Sequence, residues 1–341
     1  MSSGENRIVW FKTWPFMLMH LMPLGVFFVP VRLIDVLMCI GLYYLRMFFI
    51  TAGFHRYFAH RTYKMGRIMQ FVMAFGGTMA AQKGVLWWAS YHRHHHHYSD
   101  TESDIHSPIH GFWWSHIGWI MSEKYDRTRF DLIKDFTVFP ELRFLNQFYL
   151  LPPFLLAGFC YWLGGMSMLF WGFFLSTALL YHGTFTINSF NHIWGKRRYV
   201  TNDSSRNSLL LALITCGEGW HNNHHYYPAS VRQGFFWWEI DISFYVLTCF
   251  KYLGLVKDLV LPAKSMLLKK RIKDGNFDLG LFNVTWQRVM AFVPDNTFDK
   301  AKLYVIAKQE AWDSWLERGR LSGRELKQIV QQSILRMKNA I

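Results

Sequence analysis

Eleven of the sixteen histidines in this 341-residue chain fall into four short groups. The first is His55-Arg-Tyr-Phe-Ala-His60 and the second is His92-Arg-His-His-His-His97. The third pairs His192 with Asn188, and the fourth is Trp220-His221-Asn-Asn-His224-His225. Residues three and four apart on a helix project from one face. His92, His95 and His96 are therefore expected to converge, as are His221, His224 and His225; Asn188 and His192 obey the same spacing. His55 and His60, five apart, need a helix end or a local distortion to meet. Nine imidazoles and one amide are enough for two metals of four or five ligands each.

Imidazole suits zinc, copper, iron and nickel, so donor type alone does not name the metal. Structural zinc usually takes four ligands with cysteines among them, and no cysteine accompanies these groups. Paired metals held by neutral histidines beside apolar sequence point to redox chemistry on a lipid. His94 and His97 are surplus to the spacing and read as spectators or as supports for the ligands. The run is internal and interrupted by Arg93, unlike a purification tag.

The elements that must position these groups are apolar. Hydrophobic residues make up 51% of the chain and charged residues 18%, below the roughly 25% usual for soluble domains. From Phe144 to Gly195 there is no Asp, Glu, Lys or Arg. A bilayer core of about 30 Å needs roughly 20 apolar residues per helix, so this run fits two crossings. Four spans are expected, near residues 13–31, 33–54, 147–163 and 166–187, forming two hairpins, the second turning at Gly164-Gly165. The predicted fold is all-α: a polytopic membrane protein whose helical cap, residues 55–146 and 188–260, carries the histidines. The short turns opposite the cap hold only Arg32, whereas His55 to Arg143 contains eleven Lys or Arg residues. That bias places the cap on the cytoplasmic face.

Arg46 inside the second span is expected to snorkel to the interface or to serve the active site. Ile68 to Leu86 is read as a buried or interfacial helix. Arg7 and Lys12 precede an apolar segment with no convincing small-residue cleavage site, which reads as a retained membrane anchor. Cys39, Cys160, Cys216 and Cys249 read as reduced packing residues. Residues 261–341 form a basic tail with an amphipathic helix expected over Asp299 to Met337. The net charge of +14 is spread through loops and this tail, which favours lipid headgroups over nucleic acid.

The succession HRYFAH, WASYHRHHHHYSD, NSFNH and GEGWHNNHHYYP resembles the integral-membrane fatty acyl desaturases, specifically the Δ9 acyl-CoA (stearoyl-CoA desaturase-like) branch, over about residues 10–260. The resemblance implies an O₂-dependent enzyme that places a cis double bond in a long saturated acyl chain. It implies two irons, one on His55, His60, His92, His96 and His224. The other iron would take His95, His192, His221 and His225, with Asn188 acting through water. Family members line the bend of an acyl tunnel with a Gln, a Trp and a Thr, matched by Gln82, Trp88 and Thr184; ordinary packing is the other reading of Trp88. Where the acyl-CoA enzymes often carry Arg-Asp before the second histidine group, this chain has Ser90-Tyr91. CoA, a phospholipid and acyl carrier protein all stay open as the acyl carrier. With no fused cytochrome b5 motif and no GxGxxG, electrons are expected from a separate ferredoxin or cytochrome b5-type donor with an NAD(P)H reductase. Two other readings stay open: a related lipid or alkane hydroxylase, which would yield an alcohol, and a metal-handling membrane protein, which would pass ions without consuming O₂.

Overall fold

A computed structural model describes residues 13–272 continuously, together with Ile8, Trp10, residues 289–294, parts of 300–311, and 323–339. Helices dominate the described residues; the one small sheet pairs Lys64–Met65 antiparallel with Val256–Lys257. Two helices are long and apolar enough to cross a membrane by length and composition, Leu33–Ala59 and Leu151–Ile193, and a shorter apolar helix covers Trp14–Phe28. Pro15 sits in the first turn of the short one, where its missing N–H costs nothing.

Leu151–Ile193 is not one rod. At Gly164 and Gly165 the backbone leaves the helical region, and Gly165 adopts φ 64°, ψ −149°, a conformation reserved for glycine. The chain folds back there, so that Leu156 and Cys160 pack against Met168 and Phe173 in one cluster. This helix starts at Leu151, later than the expected residue 147, because Gln147 ends the separate helix Pro140–Gln147 and Pro152-Pro153 favour a helix start.

The two chain reversals are tied together. Arg32 donates two hydrogen bonds of 2.7 Å to the carboxylate of Asp35, and its guanidinium also reaches the carbonyl of Gly164 at 3.3 Å. Ser167 Oγ donates to Asp35 at 2.7 Å. Both turns therefore lie at the same end of the bundle. Further along, Arg46 neither snorkels nor joins the histidines. It is fully buried and donates to Ser176 Oγ and Thr177 Oγ1, each at 2.6 Å, and to the carbonyl of Leu42 at 3.0 Å. It faces the bundle because two hydroxyls from the returning helix satisfy its donors.

The stretch expected as one helix over Ile68 to Leu86 is two. Arg67–Thr78 ends before Ala81 and Lys83, which take left-handed φ of 57° and 63°, and a new helix, Val85–Tyr98, carries the second histidine group. Cys39, Cys160 and Cys216 are buried and free as expected, whereas Cys249 is exposed. In the tail, a continuous helix covers Gly323–Asn339; Asp299, the expected start, lies outside the described residues.

A Cβ at Gly165 would touch nothing within 4 Å, so its substitution tests backbone strain alone. Gly165→Ala is expected to lose about 1–3 kcal/mol. Gly158→Ala, in an equally open helical position, is expected to gain up to about 1 kcal/mol. Thermal unfolding in detergent checks both, and equal midpoints for the two variants would contradict the turn.

Candidate metal centre

The four histidine groups arrive on four different elements. His55 and His60 lie at the end of the long first helix, where Phe49–Ala59 winds as a π-helix and the N–H of His60 reaches the carbonyl of His55 at 3.1 Å. That wider turn brings residues five apart onto one side. The expected local distortion is this one. His92, His95 and His96 ride on Val85–Tyr98, and His221, His224 and His225 on the short helix His221–Tyr226.

Each histidine triplet divides instead of converging on one point. One ligand nitrogen from each of His55, His60, His92, His96 and His224 lies within 4.8 Å of the others, and His95, His192, His221 and His225 form a second such set. The rule is the helical pitch. At about 100° per residue, i and i+4 differ by about 40°, whereas i+3 falls about 60° to the other side. His92 and His96 therefore stay together, as do His221 and His225, while His95 and His224 cross to the opposite set. The sets adjoin, with the His96 and His225 ring centroids 4.5 Å apart. His94 and His97 belong to neither set and pack against Tyr98.

Asn188 and His192 do not share a regular helix. Ser176–Asn188 ends, Ser189 takes φ −100°, ψ −73°, and a new turn, Phe190–Ile193, carries His192. The His192 N–H bonds the carbonyl of Ser189 at 3.2 Å, and the carbonyl of Asn188 accepts from Ser115 Oγ at 2.8 Å.

Four carboxylates that the histidine spacing alone could not reveal back these rings. Glu218 sits 2.6 Å from His55 Nδ1, Asp104 3.0 Å from His95 Nδ1, Asp100 3.1 Å from His192 Nδ1 and Asp203 2.8 Å from His225 Nδ1. Their signal in the sequence is proximity: Asp100 and Asp104 follow the second histidine group, and Glu218 precedes the fourth. Three of the four back the four-histidine set. Arg56 holds Glu218 from behind at 3.1 Å and also pairs with Asp241.

These contacts make the rings a metal-ready donor set. A carboxylate on Nδ1 keeps the proton there and turns the Nε2 lone pair inward. His55 Nε2 then faces His224 Nε2 at 3.0 Å, and His192 Nε2 faces His221 Nε2 at 3.1 Å. His60 and His92 meet at 3.0 Å, and His96 and His224 at 2.9 Å. Two lone pairs at that distance repel unless a cation lies between them. Nitrogens about 2.1 Å from one metal and at right angles stand about 3 Å apart, so the spacing fits shared coordination. His225 Nε2 is buried with no hydrogen-bond partner among the described residues.

Electrostatics agree with the geometry. Burial holds His60, His92, His96, His221 and His224 well below the ordinary histidine range, which keeps them neutral and able to bind metal. Burial also pulls on His192, but the charge of Asp100 outweighs it and moves that ring up. Burial pushes Asp100, Asp104, Asp203 and Glu218 up, yet His192, His95, His225 and His55 respectively outweigh it, and all four stay below the usual carboxylate range.

A cavity of about 700 Å³ opens beside the first histidine set, with His55, His92 and Asn188 in its wall. Gln82, Trp88 and Thr184 also line it. Gln82 Nε2 donates to Thr184 Oγ1 at 2.9 Å, and the Trp88 ring stacks on His92 at 5.0 Å.

The fatty acid desaturase family model matches residues 13–245. The chain belongs to the fatty acid desaturase family. This desaturase is therefore an oxidoreductase. It is 37% identical over 240 residues to an acyl-CoA C20 Delta5-desaturase of Anemone leveillei, covering 69% of this chain and 77% of the relative. It is 40% identical over 219 residues to Delta-9 acyl-lipid desaturase 2 of Arabidopsis thaliana, covering 63% and 71%. Against the sn-1 stearoyl-lipid 9-desaturase of a Synechocystis species it is 39% identical over 224 residues, covering 65% and 70%.

Removing one supporting carboxylate tests the metal-ready arrangement. Asp203→Asn in the desaturase is expected to weaken metal binding by about 10–100-fold in the four-histidine set and to spare the other, read by chelator competition. Equal weakening of both sets would show that Asp203 does not act through His225. Acidification tests the neutral rings. Burial also pulls His106 down to about 3 and His116 to about 4, both from 6.5. Below pH 6.5 the unfolded chain takes up protons that these buried rings refuse, so stability falls with pH. His192 works in the opposite sense but does not offset the others. The metal-free protein should therefore hold its melting midpoint above pH 7 and lose it progressively below 6.5. A midpoint that rises on acidification would reverse the sign.

Proposed function

We propose that this desaturase uses O₂ to place a cis double bond, at Δ9, in a long saturated acyl chain carried as a CoA thioester or a lipid ester. The observation that carries the reading is the pair of adjoining histidine sets, five and four rings, the first of which meets the cavity beside Trp88 through His55 and His92. Iron is the metal we assign, with His55, His60, His92, His96 and His224 on one ion. His95, His192, His221 and His225 hold the other, with Asn188 acting through water. Position 9 is the site named for the Arabidopsis and Synechocystis relatives, against position 5 for the Anemone enzyme.

Bound there, the irons would supply the redox chemistry: O₂, two external electrons and two protons, together with two hydrogens from neighbouring methylenes, give an alkene and two waters. The chain itself supplies position. A saturated chain offers no polar handle, so the reacting carbons are set by how far the chain enters the cavity and where it bends. The Gln82–Thr184 hydrogen bond spans the cavity wall, and Trp88 presses on His92, so these residues fix the bend beside the first histidine set. The mostly apolar wall excludes water.

The membrane arrangement follows the same reading: four spans in two hairpins, both turns at one end and the cap on the cytoplasmic side. The Arg32–Asp35–Ser167 contacts and the positive charge of the cap support it. Electrons come from a ferredoxin or cytochrome b5-type protein fed by an NAD(P)H reductase.

Expression in a host of known fatty-acid inventory, followed by gas chromatography and mass spectrometry, tests the reaction. A Δ9 monoene is expected, and an alcohol in its place would identify a hydroxylase. His95→Ala or His225→Ala should abolish turnover and reduce bound iron below two per chain in a protein that still inserts. Full activity with fewer than two irons would overturn the ligand assignment. Trp88→Ala should change chain-length or positional preference more than iron content.

A further inference from the structure

The two histidine sets differ in what stands behind their rings. In the four-histidine set, His95, His192 and His225 each have a carboxylate on Nδ1, from Asp104, Asp100 and Asp203. His221 is the exception, its Nδ1 buried with no hydrogen-bond partner among the described residues. In the five-histidine set the proportion is reversed. Glu218 backs His55, and among the described residues no carboxylate pairs with His60, His92, His96 or His224.

The carboxylates also differ in how much of their charge is left for a ring. Glu218 shares its charge with the fully buried Arg56, whose Nε–H donates to it at 3.1 Å. The other three accept from uncharged donors. Asp100 takes the N–H and hydroxyl of Ser204 and the hydroxyl of Ser107, and Asp104 takes the N–H groups of Asp100 and His106. Asp203 takes the N–H of Ser205 and the hydroxyl of Thr201. Arg197 offsets part of the charge of Asp203 and Asp100 from outside these bonds.

A carboxylate on Nδ1 pushes electron density toward Nε2, and the more basic imidazole that results favours the metal ion of higher charge. Burial leaves this effect little screened. Three backed rings in one set, against one in the other whose carboxylate is tied to a guanidinium, therefore favour ferric iron in the four-histidine set. The five-histidine set is the one whose rings stand in the cavity wall, through His55 and His92.

We propose that this outer layer of carboxylates makes the two irons unequal: the iron of the four-histidine set holds its ferric state more firmly, and the iron beside the cavity is reduced first. The inference rests on the iron assignment above and specifies the order in which the pair takes up the two external electrons. The first converts ferric to ferrous iron in the five-histidine set, and the second does so in the four-histidine set. The stronger oxidant then stands on the side of the acyl chain.

Potentiometric titration of the purified protein loaded with isotopically enriched iron, followed by Mössbauer spectroscopy, tests the order without turnover. Two one-electron midpoints are expected. Asp104→Asn leaves an amide oxygen to accept from His95 Nδ1–H and removes the charge alone. At saturating iron it is expected to reduce the ferric preference of one ion about tenfold, which raises the lower midpoint by about 59 mV and leaves the upper one in place. Asp104→Glu, which keeps the charge, should keep the lower midpoint near its original value. Asp203→Asn acts on a different ring of the same set and should repeat the shift, so the outcome does not depend on one variant's folding. Glu218→Gln should move the upper midpoint instead. Coincident midpoints in the unaltered protein, a lower midpoint that neither Asp variant moves, or a lower midpoint moved by Glu218→Gln overturns the proposed order. Bound iron that cannot be reduced at all overturns the iron assignment itself.

Discussion

A buried imidazole offers its lone pair inward only if its other nitrogen keeps the proton, and four carboxylates enforce that choice here. Glu218, Asp104, Asp100 and Asp203 sit on the Nδ1 atoms of His55, His95, His192 and His225. Each is itself held. Arg56 supports Glu218, the backbone N–H and hydroxyl of Ser204 support Asp100, Ser205 supports Asp203, and the N–H of Asp100 supports Asp104. Without this outer layer, neutral rings at 3 Å would be free to rotate into hydrogen bonds with one another, and the inward donor set would be lost.

The bundle exists in a form that can carry such a layer. The π-turn over Phe49–Ala59 places His55 and His60 on one side. The break at Ser189 frees His192 from the regular helix above it. The two asparagines between His221 and His224 serve the backbone: Asn222 Oδ1 accepts from the N–H groups of Arg198 and Tyr199, and Asn223 bonds Asn207, Gln233 and Glu239. These bonds hold the short helix His221–Tyr226 against the chain that leads out of the last apolar arm. Six residues of helix would not hold their place unaided.

Much of the site was legible in the residues. Nine histidines in four short groups beside long apolar runs, six of them at helical spacings, point to a binuclear donor set because few other uses gather so many imidazoles. Spacing misled on one point. It suggested that His92, His95 and His96 would share a target, but i+3 and i+4 lie about 100° apart around the helix, and a helix wedged between two sites feeds both. Arg46 was likewise ambiguous, since the hydroxyls of Ser176 and Thr177 that satisfy it lie some 130 positions away.

The sequence by itself determined the helical class, the apolar hairpin turning at Gly164-Gly165, the donor type and the number of donors, because composition, periodicity and glycine conformation are local properties. The division of the histidines between two sets follows from the family resemblance and not from their spacing, and tertiary structure decided which carboxylate stands behind each ring and how the rings meet. Those depend on distances between segments as far apart as His55 and Glu218, and the pairing of rings at 3 Å is settled only when four separate elements are packed together.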